Sequence, residues 1–248
     1  MKSFGLTDKG KVRKDNQDCF IIESCPARSC TIAALCDGMG GANAGEIASA
    51  VSNKAFVSYI YNRLTSRTIK SINYKEALIN ACTEANGVAY EYSLFDKAYN
   101  GMGTTLVGGV IRSNGNGYIV NVGDSRAYHI SKRANTIYQI TKDHSLVEEL
   151  VEAGAITKEQ ARTHPHKNVI TRALGSDPEV VPDYFEFTLQ PGDILLLCSD
   201  GLSNTVTDLE MLEYAKEYQE PELICRALMS KALIRGAKDN VTVVAVMR

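Results

Sequence analysis

The sequence predicts an α+β fold, a four-layer α-β-β-α sandwich in which two antiparallel sheets lie face to face with a helix pair outside each. Two observations predict it. Strand-like apolar runs stand near both ends of the chain and in its middle, and apolar residues at helical spacing occupy stretches between them. No Ser-, Gly- or Pro-rich linker interrupts the 248 residues, so we expect one domain, residues 1–248.

Two helices are predicted after the first strands, which occupy roughly the first thirty-six residues. They run from about Gly45 to Leu64 and from about Tyr74 to Tyr92, because apolar residues recur there every three or four positions. A block of strands follows, with an Asn-Gly turn that predicts a hairpin between its first two members. These strands are Thr104 to Ile111, Tyr118 to Val122, Ala127 to Ile130 and Ile137 to Ile140.

A different pattern covers the segment from Thr141 to Pro182. Ser145 and Thr157 each stand three residues before a Glu or Gln, which is the signature of a capped helix start. Short helices and a polar stretch between strands indicate that this segment leaves the sheets and lies beside them. We therefore predict a flap at about residues 141–182, and surface segments of this kind often contribute to function.

The last part of the chain returns to strands. Two are predicted from Tyr184 to Leu189 and from Ile194 to Cys198, joined by a Pro-Gly turn. Thr207 predicts the start of one helix, and another is expected from about Pro221 to Arg235. An apolar run after Asn240 predicts the closing strand.

Composition excludes several classes of protein. A net charge of −2 does not favour nonspecific nucleic-acid binding, so no nucleic-acid partner is expected. We find no apolar stretch long enough for a membrane span and no signal-peptide segment at the N-terminus. The odd count of seven cysteines favours free thiols and a cytoplasmic location, with only weak evidence for zinc at Cys25 and Cys30.

Four aspartates stand at the ends of predicted strands. Asp18 opens one apolar run and Asp37 closes the next; Asp200 closes a later run and Asp239 opens the last. In an antiparallel pair, the end of one strand lies beside the start of its neighbour. Each pair of carboxylates is therefore expected at one end of its sheet.

Four carboxylates gathered at one sheet end would repel each other unless positive charge lay between them. Hard divalent cations with oxygen ligands are the usual solution. Gly38 follows Asp37 directly, and glycine suits a place where bare backbone must approach an ion. The simpler interpretation is an Asp-Gly turn that only ends a strand.

Six short motifs follow one another along the chain. They are Arg13-Lys14-Asp15-Asn16-Gln17-Asp18, Asp37-Gly38-Met39-Gly40-Gly41, Gly103-Thr104-Thr105, Gly123-Asp124-Ser125-Arg126, Ser199-Asp200-Gly201 and Asp239-Asn240. In this order the chain resembles the metal-dependent protein phosphatases of type 2C over essentially its whole length. Residues 168–175 look like the bacterial branch, whose members oppose eukaryotic-like Ser/Thr kinases.

The resemblance implies hydrolysis of phosphoserine and phosphothreonine by a metal-activated water. It implies two Mn²⁺ or Mg²⁺ ions, with phosphorylated proteins as substrates and a Ser/Thr protein kinase or its substrates as partners. Asp37 would bridge the two ions and the Gly38 carbonyl would be a further ligand. Asp200 and Asp239 would also ligate the metal centre, and Asp18 would hold a metal-bound water from the outer shell.

Two further residues receive roles from the resemblance. Asp124 would help to hold a third, weaker metal together with Asp200, although an ordinary hairpin turn is the alternative. Arg13 would bind the substrate phosphate, because a guanidinium matches two phosphate oxygens and stays charged. The alternative for Arg13 is a solvated basic cluster with its neighbouring lysines.

Met39 departs from the family pattern. Many eukaryotic relatives have a histidine there, proposed to protonate the leaving alkoxide, and methionine cannot donate a proton. Many bacterial relatives have a histidine just after the Gly-Gly pair, whereas this chain has Ala42 and Asn43. The resemblance therefore leaves the general acid unassigned, and a metal-bound water is one candidate.

Two other functions stay open from the sequence. A noncatalytic phosphoprotein-binding module of the same fold would account for the missing histidine, but every expected metal ligand is present. A hydrolase of small phosphate esters would use the same metal site and differ only in its substrate.

Overall fold

A computed structural model describes residues 1–41 and 44–248 of the protein. Its strands are β1 (Lys2–Asp8), β2 (Asp18–Cys25), β3 (Cys30–Met39), β4 (Gly103–Thr104), β5 (Leu106–Arg112), β6 (Asn116–Val122), β7 (Arg126–Ser131), β8 (Thr136–Gln139), β9 (Asp183–Thr188), β10 (Ile194–Cys198) and β11 (Val241–Met247). Its helices are α1 (Ala44–Thr65), α2 (Tyr74–Phe95), α3 (Leu146–Glu152), α4 (Lys158–Thr163), α5 (Asp200–Ser203), α6 (Asp208–Glu217) and α7 (Pro221–Ile234). Short 3₁₀ turns cover Pro26–Arg28 and Lys97–Tyr99.

The described strands form two antiparallel sheets. One has the order β1-β11-β10-β7-β8, and the other has the order β2-β3-β5-β6-β9 with β4 beside β3. Strands from the two ends of the chain therefore pair with each other, Lys2 lying opposite Met247. This pairing is why a carboxylate near the C-terminus can share a site with an arginine near the N-terminus.

Apolar cores separate the four layers. Between the sheets, Leu35 and Val107 from one sheet pack in the same cluster as Leu195 and Val244 from the other. The outer face of one sheet packs on α1 and α2, and that of the other packs on α6 and α7. The structure confirms the predicted α+β fold, a four-layer α-β-β-α sandwich.

The segment predicted as a flap contains α3 and α4 and is attached to the sheets at its base. Thr104 and Leu174 exchange two backbone hydrogen bonds of 3.0 and 2.8 Å. Ser145 forms a bridge with Ile170, and its side chain caps α3. The second predicted start, Thr157, forms a complete capping box at α4. The short helices predicted here are therefore confirmed.

One predicted strand is divided. The run from Thr104 to Ile111 forms both β4 and β5, because the Thr105 amide turns to the Asp37 carbonyl at 2.9 Å. The short helix α5 was not predicted, since its few residues contain no periodic pattern. No helix within the described ranges is both long and apolar enough to cross a membrane.

The inter-sheet core can be tested at Leu35, which is fully buried. We expect Leu35→Ala to lower the free energy of unfolding by about 2–5 kcal/mol, because it leaves a cavity and removes apolar contacts. Leu209→Ala, at a leucine that is 70% exposed on α6, is the matched control and should change it by under about 1 kcal/mol. Urea unfolding measures both, and equal losses would contradict the burial of Leu35.

Candidate active site

The four aspartates meet at one end of the sandwich. Asp18 on β2 lies directly opposite Asp37 on β3 in the strand register. In the other sheet β10 ends where β11 begins, which brings Asp200 and Asp239 together. A cleft of about 190 Å³ opens at this end. Its lining includes Arg13, Asp37, Gly38, Asp124, Asp200 and Asp239.

The backbone of Asp37 is held by Thr104, the last residue of β4, and by Thr105, which stands between β4 and β5. Its amide donates to Thr105 Oγ1 at 2.9 Å, and its carbonyl accepts from the Thr104 hydroxyl at 2.9 Å. The Thr105 hydroxyl also bonds the hydroxyl of buried Ser125 at 2.7 Å. These hydrogen bonds fix the main chain of Asp37. The residue lines the cleft.

Gly38 is a place where no side chain fits. A Cβ atom there would lie 2.1 Å from the carbonyl oxygen of Gly45 and 2.6 Å from that of Gln17. The Gly38 amide donates to the same Gln17 carbonyl at 3.0 Å. The start of α1 and the loop before β2 can therefore both approach the backbone that lines the cleft.

Asp18 is buried and is not among the residues that line the cleft. Its Oδ2 accepts hydrogen bonds from the hydroxyls of Ser199 at 2.8 Å and Thr242 at 2.6 Å, both from the opposite sheet. Its Oδ1 is buried and has no hydrogen-bond partner among the described residues. A buried carboxylate oxygen without a partner is costly, so this atom requires a ligand such as an ordered water.

Arg13 reaches the same cleft, where its Nη2 pairs with Asp239 Oδ2 at 2.8 Å. This hydrogen bond raises the pKa of Arg13 further above its usual value. Asn240, the next residue, holds the loop that carries Arg13. Its Nδ2 donates to the carbonyls of Lys9 at 3.0 Å and Asp15 at 2.9 Å. In the Asp-Asn motif, Asp239 therefore pairs with Arg13, and Asn240 holds the loop that carries Arg13 in place.

Asp124 stands on the turn after β6, which depends on Gly123 with a positive φ of 100°. His144 at the base of the flap fastens this turn. Its Nδ1 accepts from the Gly123 amide at 3.1 Å, and its own amide donates to the Gly123 carbonyl at 3.0 Å. The Nε2 atom of His144 faces Asp183 Oδ2 at 3.3 Å. Because Nδ1 accepts, the ring proton lies on Nε2, and burial lowers the pKa of His144.

The carboxylates of the cleft are hard to ionise together. Burial raises the pKa of Asp18 and Asp200 to about 6 and that of Asp124 to about 8, and repulsion from neighbouring carboxylates adds to each rise. For Asp37 the same two causes raise the pKa well above its ordinary value. A bound divalent cation reverses this effect, because its charge favours the ionised carboxylates.

These observations fit a divalent cation, which carboxylate and carbonyl oxygens prefer to bind. No group of three or more His, Cys, Asp or Glu side chains in residues 1–41 and 44–248 converges as a compact metal cluster. Backbone and water oxygens would then complete the coordination, which is common for Mg²⁺. The individual ligand assignments therefore stay predictions, and they are Asp18, Asp37, Gly38, Asp124, Asp200 and Asp239.

No histidine lines the cleft in the described part of the chain. Met39 does line it, and Ala42 and Asn43 lie outside the described residues. His144 stabilises the turn at Gly123. All seven cysteines are free thiols, and Cys25 and Cys30 are buried opposite each other in strand register.

Sequence reasoning missed the hydroxyl and amide groups that hold the carboxylates. Ser199 and Asn240 each stand beside a site aspartate, in the Ser199-Asp200-Gly201 and Asp239-Asn240 motifs, and this position could have identified them. Thr242 gives no such signal, since it is one residue of an apolar strand and only the facing sheet brings it to Asp18.

Comparisons with known proteins place this chain beside phosphatases of one family. A model of the family described as protein phosphatase 2C matches residues 9–233. The chain is 37% identical over 243 residues to a serine/threonine phosphatase stp of Listeria monocytogenes, covering 98% of this chain and 94% of that protein. It is 36% identical over 241 residues to protein phosphatase PhpP of Streptococcus pneumoniae, covering 97% and 95%.

Solved structures are similar along the same length. Serine/threonine phosphatase Stp1 from Staphylococcus aureus aligns with a TM-score of 0.90 and 37% identity, covering 99% of this chain and 94% of that one. The catalytic domain of PstP in complex with two manganese ions aligns with a TM-score of 0.82 and 32% identity, covering 98% and 96%. Fold and cleft thus define a metal-dependent phosphatase. The chain belongs to the protein phosphatase 2C family.

The His144 contact predicts a measurable difference between two variants. His144→Ala leaves the Gly123 amide without its acceptor, and we expect it to lower the free energy of unfolding by about 1–3 kcal/mol. His144→Asn places an amide oxygen near the position of Nδ1 and should recover much of the loss. Urea unfolding at pH 7.5 compares them, and equal losses in both variants would contradict the role of the Nδ1 acceptor.

Proposed function

We propose that this protein removes phosphate from phosphoserine and phosphothreonine in phosphorylated proteins. The observation that carries the proposal is the convergence of strand-end aspartates from both sheets on one cleft that Arg13 also lines. Negative side chains and one guanidinium in a single small cleft suit a phosphate ester only when cations neutralise the carboxylates.

Asp37, Gly38, Asp200 and Asp239 would hold two Mn²⁺ or Mg²⁺ ions, and Asp124 with Asp200 a third. Bound there, the cations would activate a water as nucleophile and offset charge on the phosphoryl oxygens. Asp18 would orient a water through Oδ1, because its other oxygen is already used by Ser199 and Thr242. The orphaned position of Oδ1 supports this role.

Arg13 would bind the substrate phosphate. Its side chain is 51% exposed, and its guanidinium has further donors besides the one that bonds Asp239. A planar guanidinium can form two parallel hydrogen bonds to a phosphate, which orients the ester as well as attracting it. The loop anchored by Asn240 supports this role, because it holds Arg13 at the cleft mouth.

The proton for the leaving alkoxide would come from water. Among the residues of the described ranges that line the cleft, Arg13 stays protonated and Met39 cannot donate. Bound cations would keep the carboxylates of the cleft ionised, so a water molecule between them and the ester oxygen would be the donor. The absence of a matched histidine therefore does not by itself argue for a noncatalytic module.

The wider setting is also part of the proposal. We place the enzyme in the cytoplasm, opposing a bacterial Ser/Thr protein kinase, and the free cysteines support a reducing compartment. Residues 1–248 would form one catalytic domain with a flap at about 141–182, supported by the core that the two sheets share.

Mn²⁺ titration of metal-stripped protein tests the function. We expect saturable, chelator-sensitive hydrolysis of both p-nitrophenyl phosphate and a phosphothreonine peptide. Asp239→Asn should weaken Mn²⁺ affinity by on the order of 100-fold and cut turnover at low Mn²⁺, because a ligand is lost. Calorimetry reports the affinity independently of turnover.

Asp177→Asn, at an exposed aspartate outside the cleft, is the matched control and should leave both quantities unchanged. Near-normal turnover of Asp239→Asn at low Mn²⁺ would refute its role as a ligand. Hydrolysis of p-nitrophenyl phosphate without any of the peptide would favour the small-ester hydrolase.

Arg13→Ala tests the phosphate contact. We expect the Michaelis constant for the phosphopeptide to rise roughly tenfold at saturating Mn²⁺, because a charge-assisted hydrogen bond is lost. Lys14→Ala, the neighbouring cation, is the control and should change it less than about twofold. Steady-state kinetics decide, and equal effects of the two substitutions would favour the solvated basic cluster.

A further inference from the structure

A second and larger cleft, of about 380 Å³, adjoins the catalytic cleft. The two share Asp124 and Asp200 as lining residues, so they lie side by side. The remaining walls come from the flap, from β7 and β8, and from the end of α5 and the start of α6. A polypeptide whose phosphorylated residue occupied the catalytic cleft would therefore have its neighbouring residues at this second cleft.

One wall of the second cleft is positively charged. Lys158 and Arg162 are four residues apart on α4, which places both on one face of the helix, and Lys167 follows in the flap. Within the described ranges, Lys158 and Arg162 take part in no ion pair or side-chain hydrogen bond. The charge of Lys167 is close enough to lower the pKa of Asp200, against the stronger effect of burial.

Several other charged residues of this cleft are compensated, whereas Glu148 on α3 forms no ion pair among the described residues, and Asp124 and Asp200 belong to the wall shared with the catalytic cleft. Arg126 binds Asp143 through two nitrogens at 2.7–3.0 Å, and Lys142 pairs with Glu152 at 2.6 Å. Asp208 lies in the first turn of α6, where the helix dipole favours a negative charge. Three flap cations, Lys158, Arg162 and Lys167, thus stand against one flap carboxylate without an ion pair, Glu148, so the net charge of these groups is positive.

We infer that the second cleft binds a second anionic group on the substrate chain, within a few residues of the phosphoresidue that is hydrolysed. This rests on the proposed function, since it concerns the choice among phosphoproteins. An extended chain advances about 3.3 Å per residue, so an acidic or phosphorylated side chain two or three positions away is near enough. The shared chemistry is an anion that accepts hydrogen bonds from Lys and Arg.

The test compares phosphothreonine peptides that differ at one flanking position. This position, two or three residues before or after the phosphothreonine, carries a non-hydrolysable phosphonate, glutamate or alanine. We expect kcat/KM for the anionic peptides to exceed that for the alanine peptide by about fivefold to tenfold at low salt. The preference should shrink as ionic strength rises. A higher rate with phosphonate than with glutamate identifies a second phosphate, and equal rates identify any acidic side chain.

Charge reversal locates the effect. Lys158→Glu with Arg162→Glu should abolish the preference and leave hydrolysis of p-nitrophenyl phosphate unchanged, which also shows that the variant is folded. Lys54→Glu with Arg67→Glu, an exposed Lys and Arg that line neither cleft, is the matched control and should keep the preference.

Two results would overturn the inference. The first is that the wild type hydrolyses every peptide without preferring the anionic ones. The second is that the preference for anionic peptides survives the charge reversal of Lys158 and Arg162. Failure of the proposed function looks different. The wild type would then hydrolyse p-nitrophenyl phosphate and none of the peptides, and the inference would fall with it.

Discussion

Repulsion between carboxylates at one end of the sandwich is the constraint on which the rest of the structure depends. Burial and mutual repulsion raise the pKa of Asp18, Asp37, Asp124 and Asp200 together. Such a group is unstable as a set of ionised side chains in a low-dielectric cleft. It becomes favourable when divalent cations lie among the oxygens, and the same cations are what a phosphatase needs.

Hydrogen bonds to backbone and hydroxyl groups keep these carboxylates in place. Thr104 and Thr105 fix the main chain at Asp37, while Ser199 and Thr242 use one oxygen of Asp18 and leave the other free for a ligand. These contacts join the two sheets at the end where chemistry would occur. The site therefore depends on the packing of the whole sandwich, and damage to the inter-sheet core would also disturb it.

The flap has two physically different parts. Its base is fastened to the turn that carries Asp124, because His144 bonds both the amide and the carbonyl of Gly123. Its outer part, α4, presents cations that no other described side chain pairs with. A fixed base would keep Asp124 in position while the outer part contacted substrates of different sequence, as the proposed second cleft requires.

The sequence by itself determined the layered fold and most of the charged residues of the site. The spacing of apolar residues indicates which face of a helix or strand is buried. An aspartate at the end of a strand lies at the end of its sheet, independently of the loop conformation. Only the tertiary structure decided that Thr242 holds Asp18, that Arg13 pairs with Asp239, and that α4 turns its cations to a second cleft. These contacts join residues far apart in the chain, and no local pattern encodes a distance between two sheets or the position of a flap.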